Sequence, residues 1–494
     1  MQWVEVPVIR RFVACALLPV LLLAFTALYA AERDALYAAE RPAPAADQGE
    51  SLLGVTGHFL HHDLFYPNQP RFWRVEFTIP LLKELGITTV HEAVYALAAP
   101  QRVLISDGRT EPAILRRMHA NRRAVSDWLA QYDQAGIKVV LAVLGQAPGP
   151  RSNENNEEFS TWIAELIASH PSITAVQMHN EPNLRSFWRG TPEDYVDTYR
   201  SYATKIRAKR PDVKLLGGAI SSLWWGPGVQ WLKRAVDHGL LEFADGIAMH
   251  PYNVDAPPEI DPHWRGAPGS DPDHREKALH AFWAEVVKWN TTGRPLALYF
   301  TEFGYNTATQ GRGHVDENKQ ADYLSRCILI FQDVRLRGLP LESVYWYDLK
   351  EDGEKPDNPE HHYGLINWDL TQRKPAFFAY RAIVRFFRDT WNFEAVDLKV
   401  VPSEAPATLK LKTWRRKSDG ATIIAFWNSD PSISSTESTR LKLTVPLAGA
   451  GLVRLFSASE TEPRTVETTT VDGTLQAVVD LSTRASWLEI GRQR

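Results

Sequence analysis

From Ser51 onward, short runs of β-branched and apolar residues alternate with longer stretches whose apolar positions recur at helical spacing. The short runs are LLGVTGHF (52–59), ITTVHEAVY (87–95), IKVVLAVLG (137–145) and ITAVQMHNE (173–181). Four more follow: VKLLGGAI (213–220), ADGIAMHPY (244–252), PLALYFTEFG (295–304) and ESVYWYDL (342–349). Their apolar residues are nearly continuous, which marks strands buried on both faces. The longer stretches carry helix punctuation: Thr191-Pro192 followed by acidic residues opens one, and Gly338 closes another. ELG-ITTV and QAG-IKVV place a glycine at a helix end just ahead of a strand. Eight such units predict an α/β fold, a (β/α)8 TIM barrel over 51–390. A doubly wound open sheet would carry a glycine-rich phosphate loop after its first strand, and this chain has none there.

After about Thr390 the period changes to two. ATLKLKTW (407–414), ATIIAFWN (421–428), TRLKLTV (439–445), LVRLFSA (452–458), RTVETTT (464–470), TLQAVVDL (474–481) and ASWLEI (485–490) alternate between turn-rich pieces. This pattern predicts a small C-terminal all-β sandwich domain over 391–494, with a packing or accessory-binding role. At the other end, Arg10-Arg11 precedes Phe12–Ala31, 20 residues without a charge. Segment 1–31 therefore reads as a signal peptide or an N-terminal membrane anchor, and the chain as exported: periplasmic, secreted or held at the outer face of the inner membrane. ALYAAER occurs at 27–33 and again at 35–41, and with the PAPAAD stretch it makes 32–50 a linker.

Composition trims the functional classes. Of 494 residues, 44% are hydrophobic and 23% charged, a globular balance that excludes a disordered chain. A net charge of −4 offers no basic field, so no nucleic-acid partner is expected. The two cysteines, Cys15 and Cys327, exclude a disulfide scaffold. Seventeen tryptophans supply flat apolar surfaces, suited either to a packed core or to sugar rings.

In a barrel of this kind, chemistry sits where the strands end. Strand four ends in His179-Asn180-Glu181-Pro182-Asn183 and strand seven in Thr301-Glu302-Phe303-Gly304. Two carboxyl groups facing one another across such a rim suit glycoside hydrolysis: one delivers a proton to the leaving sugar, the other stays anionic to trap the oxocarbenium-like centre. A separation of about 5–5.5 Å lets the second attack directly, with retention of configuration. Trp188 in SFWRG and Trp224-Trp225 in SLWWGPG lie beyond strand ends, as sugar platforms or as loop anchors. His58-x-x-His61-His62-Asp63 has the residue types of a metal site but not a spacing that puts two histidines on one strand face, so no metal is expected; His58 instead reads as a contact to a sugar hydroxyl.

HNEPN on strand four, HPY on strand six and TEFGYNT on strand seven resemble clan A glycoside hydrolases. The passage NEPNLRSFWRGTPEDYVDTYRSYATKIRAKRPDVKLLGG, and YWYDLKEDG with HHYGLINWDLTQRKPAFFAY, resemble family 39-like enzymes, among them bacterial exopolysaccharide glycosidases, over roughly 55–390. The resemblance implies a retaining β-glycosidase without cofactor, acting on an oligo- or polysaccharide. By position it makes Glu181 the acid/base, Glu302 the nucleophile, Asn180 the partner of the sugar 2-hydroxyl and Tyr252 the residue that orients the nucleophile. His250 contacts substrate or carboxylate, and Trp346 is the aromatic floor under the reacting sugar. Two departures stand out: the arginine that many clan members carry at the end of strand two is replaced by Val90-His91-Glu92, and His179 stands where an aromatic is common. Two other readings stay open: an exo-acting, β-xylosidase-like enzyme on short oligosaccharides, which a blind pocket rather than an open groove would favour, and a polysaccharide-binding protein without turnover, for which the missing arginine is the motive.

Overall fold

The computed structural model describes residues 52–57, 75–96, 111–149, 152–221, 226–260, 273–434, 436–447, 450–458, 460 and 462–492. The predicted signal or anchor (1–31), the linker (32–50), His58, His61, His62, Asp63, Trp224 and Trp225 lie outside the described residues. No helix among the described residues is long and apolar enough to cross a membrane.

Strands β1 (Leu53–Thr56), β2 (Thr89–Tyr95), β3 (Lys138–Leu144), β4 (Ile173–Met178), β5 (Lys214–Ser221), β6 (Gly246–His250), β7 (Ala297–Phe303) and β8 (Leu341–Trp346) pair in sequence order and close into a barrel. Each predicted strand is present, with ends within a few residues of the predicted ones. The helices between and after them are α1 (Val75–Leu85), α2 (Glu111–Ala135), α3 (Ser152–Ser169), α4 (Pro192–Lys209), α5 (Pro227–Asp237), α6 (His274–Trp289), α7 (Glu317–Leu336) and α8 (Pro375–Phe387).

Alternation divides each strand between two environments. Val140, Ala175, Leu216, Ala248, Tyr299 and Tyr345 pack together inside the barrel. Val139, Leu141, Val176, Ile247, Leu298 and Val344, from the opposite strand faces, join the larger core with the helices. Fully burying each such aliphatic chain is worth about 2 kcal/mol, which is why the strands read as unbroken apolar runs. Two tyrosines fill the interior because alanines face them; Tyr345 also donates to or accepts from Thr89 Oγ1 at 2.9 Å. Gly54 belongs to the same arrangement: a Cβ there would sit 2.5 Å from the Tyr345 ring.

Helix α4 starts where the sequence says. Thr191 accepts from the Asp194 amide at 3.1 Å, Asp194 accepts from the Thr191 amide at 2.8 Å, and Pro192 fills the first turn. Its aromatic stripe reaches the strand ends. The Tyr195 hydroxyl donates to Met178 O (2.7 Å) and the Tyr199 hydroxyl to Val143 O (2.9 Å), tying the top of β4 and β3.

The C-terminal part holds two antiparallel sheets. One contains β15 (Arg464–Thr465), β14 (Ala450–Ser457), β18 (Ser486–Arg492), β12 (Thr422–Asn428), β11 (Leu409–Arg416) and β9 (Phe393–Ala395); the other contains β10 (Val401–Ser403), β13 (Thr439–Val445), β17 (Thr474–Leu481) and β16 (Thr468–Val471). Strands β9 and β10 escape the sequence reading because three residues are too few to show alternation. Ile424, Phe426, Leu488 and Ile490 meet Leu441, Leu443, Val479 and Leu481 between the sheets. The other face of the larger sheet presents Trp414, Trp427 and Trp487 to the barrel's own core. Hence β12 is buried along its whole length.

Helix α7 lies in this junction, with Gln320 through Arg335 all buried. Two of its carboxylates are bonded across the boundary. Asp322 accepts from Thr483 Oγ1 (2.5 Å) and Arg484 Nε (2.7 Å), and Asp333 from Trp414 Nε1 (2.9 Å).

Candidate active site

Strand β4 stops at Met178, and the next residues turn sharply: His179 has φ 71° and Glu181 φ 41°. Non-glycine residues in the left-handed region are held there by surrounding bonds. Those bonds are His179 N to Val143 O (3.1 Å) and Glu181 N to Ala219 O (3.0 Å), Ala219 itself having φ 45° at a bulge between β5 and β6. On β7, Phe300 pairs with Val344 and Phe303 with Trp346, so three steps on β7 match two on β8. The extra residue re-aims the strand end, as bulges do. Thr301 stays inward with Tyr299, and Glu302 turns into the same opening.

Both predicted carboxylates are therefore brought together. One oxygen of Glu181, one of Glu302 and a ring nitrogen of His250 lie within 4.8 Å of one another. His250 Nδ1 is 3.0 Å from Glu181 Oε1 and 3.4 Å from Glu302 Oε2, and Nε2 is 3.1 Å from Thr301 Oγ1. The imidazole is fully buried. Burial lowers its proton affinity, but the charge of Glu302 and the hydrogen bond and charge of Glu181 outweigh that, and the net shift is upward. The Tyr252 hydroxyl donates to Glu302 Oε2 at 3.1 Å. Burial, then the Glu302 charge, push this phenol well above its ordinary range, so it stays a donor. Asn180 is half-buried beside Glu181. The same three atoms of Glu181, Glu302 and His250 are also within reach of a single cation, but a proton on Nδ1 that serves Glu181 and a metal on Nδ1 exclude one another.

One aromatic assignment is corrected, that of Trp346, and Trp188 takes the second of its two readings. Trp346 is 0% exposed and packs edge-on against Phe303 at 5.4 Å, on the outer face of β8. Tyr345 points into the barrel, so its neighbour must point out, and the inward position at the rim is Tyr347. Tyr347 forms a cluster with Tyr252 (6.2 Å) and Tyr363 (5.2 Å) at the mouth of the carboxylate pair, a cluster the sequence reading missed. Alternation counted from Tyr345 would have found its first member. Trp188 is 1% exposed, donates to Thr191 O at 3.2 Å and packs edge-on against His179 at 5.0 Å. It anchors the loop after β4 and offers no face to a sugar.

His179 is buried in that aromatic block. Burial dominates over its bonds to the Asn180 and Gly145 backbone and lowers its pKa to about 4, so it is neutral and acts as the aromatic it replaces. At the strand-two position, Glu92 points outward and accepts from Tyr132 of α2 at 2.8 Å; it is 0% exposed and lies behind the barrel wall, away from any substrate. His91 faces inward against the Tyr345 ring at 5.9 Å, in the packed interior. The basic group that touches both glutamates comes from β6 instead, as His250.

No family model matches the chain. A β-xylosidase from Caldicellulosiruptor saccharolyticus is 25% identical over 276 residues, 54% of this chain and 52% of that protein, so the chain spans about half the length of this curated relative. Among solved structures, a family 39 glycoside hydrolase from the gut symbiont Bacteroides cellulosilyticus superposes with a TM-score of 0.63 at 20% identity, over 89% of this chain and 80% of its own. A glucosidase from Croceicoccus marinus gives 0.58 at 12% identity, covering 90% and 98%. A monomeric β-xylosidase from Caulobacter crescentus gives 0.52 at 15%, with the same coverage. The resemblance to family 39-like enzymes read from HNEPN, HPY and TEFG thus returns as a likeness of fold: the barrel with its trailing sheets is an architecture that this chain shares with glycoside hydrolases.

Proposed function

We propose that this chain is an exported retaining β-glycosidase that cleaves a β-linked polysaccharide, such as a bacterial exopolysaccharide, with Glu181 as acid/base and Glu302 as nucleophile. The observation that carries the reading is the approach of the two carboxylates, with oxygens within 4.8 Å, at the C-terminal ends of β4 and β7. That spacing favours direct attack over a water held between the groups, since inverting pairs stand about 6.5–9.5 Å apart. In the first step Glu302 attacks the anomeric carbon while Glu181 gives its proton to the departing glycosidic oxygen. In the second, Glu181 takes a proton from water, the water oxygen attacks the same carbon, and Glu302 leaves with its electron pair. Tyr252 holds the nucleophile's orientation through Oε2, and His250 spans both carboxylates from beneath. Neither step requires a cofactor.

Incubation with an activated 2-fluoro β-glycoside followed by peptide mapping tests the assignment: the label is expected on Glu302. The Glu302→Gln variant is expected to fold and to lose at least a hundredfold in turnover, because it keeps the shape and removes the anion. Label elsewhere, or turnover above a hundredth of wild type, sinks the reading. The match to a β-xylosidase favours a second reading, exo-action on short xylo-oligosaccharides. Product sizes released early from a long substrate separate the two, single sugars marking exo-action.

A further inference from the structure

The loop that leaves β6 carries Tyr252 and is held from four directions. Arg275 of α6, 2% exposed, donates through its guanidinium to Pro251 O (2.6 Å) and to Asn253 Oδ1. Asn253 Nδ2 donates back to Pro257 O (3.0 Å) and Ile260 O (2.8 Å), closing the loop on itself. The Tyr305 hydroxyl, from the β7 exit, donates to Ala256 O at 3.1 Å. The fourth hold reaches outside the barrel. Glu259, 5% exposed, takes a two-point ion pair from Arg326 of α7 (2.9 and 2.5 Å) and the indole N–H of Trp427 on β12 at 2.7 Å. The Arg275 amide donates to Glu259 O at 2.9 Å, so the residue that fixes Asn253 and Pro251 is itself placed by Glu259.

A buried carboxylate with both oxygens engaged is costly to move, because any displacement leaves a charge without its partners. We infer that Glu259 is a positioning residue and that Trp427, acting through it, makes the sheet domain part of the apparatus that sets the Tyr252–Glu302 hydrogen bond. The inference rests on the catalytic reading of Glu302 given above. It assigns the C-terminal sheets a task at the active site that requires no sugar contact of their own.

The interface contains its own control. Trp414 also donates an indole N–H to a buried carboxylate of the barrel, Asp333, at 2.9 Å, but Asp333 sits on α7 and does not touch the β6 loop. Trp427→Phe and Trp414→Phe make the same chemical change and are compared for kcat, KM and amide hydrogen exchange over 251–260. Trp427→Phe is expected to lower kcat about tenfold with KM within twofold, as a small misplacement of a catalytic group does, and to speed exchange over 251–260. Trp414→Phe is expected to lower thermal stability about as much as Trp427→Phe does, while kcat stays within twofold. Equal kcat losses in the two variants, or unchanged exchange over 251–260 in Trp427→Phe, overturn the inference. Should Trp427→Phe not fold, Glu259→Gln, which keeps an acceptor but loses the charge, reads the same quantities. If wild-type protein turns over no glycoside, the catalytic reading falls, and the exchange pattern alone decides whether Trp427 places the loop.

Discussion

His250 and His179 are both buried imidazoles at strand ends, yet their neighbours push them in opposite directions. His250 faces Glu181 and Glu302 and is shifted upward; His179 faces an aromatic wall and two backbone groups and is lowered to about 4. The consequences for stability have opposite signs. Below the ordinary imidazole value of about 6.5, His250 contributes its full stabilisation, which is lost as pH rises through its higher folded value. His179 behaves the other way: between 6.5 and about 4 the unfolded chain binds a proton that the folded chain refuses, so stability falls on acidification. A gap of that size is worth about 3 kcal/mol. Urea unfolding at pH 7 and pH 4.5 is expected to show that His179→Phe, which keeps a ring in the aromatic block, removes most of this acid-side loss. An unchanged pH slope in the variant would show that His179 is protonated in the native state. At this scale the sequence was readable where chemistry and position coincide: Glu181 and Glu302 end strands four and seven, where a barrel gathers its chemistry. It misled at Trp346 and left Trp188 open between two roles, since an indole is as well suited to a core as to a sugar.

The elements explain why those two glutamates meet. Apolar runs bounded by capped helices announce eight βα units, and each strand appeared within a few residues of its predicted place. What periodicity does not announce is the bulge on β7, the left-handed turn at His179 and Glu181, or the bulge at Ala219, because none alters the pattern of apolar residues. These irregularities aim the side chains, so the site's members were legible and its geometry was not. Gly304, one residue beyond β7, locks the irregular end against β8: a Cβ there would stand 2.3 Å from the Tyr347 carbonyl oxygen and 3.2 Å from the Tyr363 ring. Backbone cannot yield as a flexible side chain would. Gly304→Ala is therefore expected to cost about 2 kcal/mol and to lower turnover at least tenfold, by moving Glu302 and Tyr347 apart. Thermal unfolding together with kcat on an aryl β-glycoside checks both. A variant as stable and as active as wild type would mean that the two strand ends slide freely.

Over the whole molecule, the sequence divides cleanly at about residue 390 where the physics does not. The period-two pattern marks the C-terminal sheets as a unit, but one of their two apolar faces belongs to the barrel's core, through Trp414, Trp427 and Trp487. On the barrel side the matching surface carries Phe386 and Phe387, whose rings pack at a tilt against Trp487, and the buried charges of Glu259, Asp322, Arg326 and Asp333. Cutting the chain at 390 would strip Asp322 of Thr483 and Arg484, Asp333 of Trp414 and Glu259 of Trp427, leaving α7 with an apolar face in water. Uncovering that face costs about 2 kcal/mol for each large apolar side chain returned to water, and several together remove a large part of a domain's ordinary margin of about 5–15 kcal/mol. Residues 51–390 alone are thus expected to bind hydrophobic dye and to unfold without a sharp transition, while the intact protein melts in a single calorimetric step. Two well-separated endotherms for the intact protein, or a cooperative fold for the isolated barrel, would show the sheets to be an appendage. A single step ties the tyrosine that holds Glu302 and the indole that holds Glu259 to one cooperative unit.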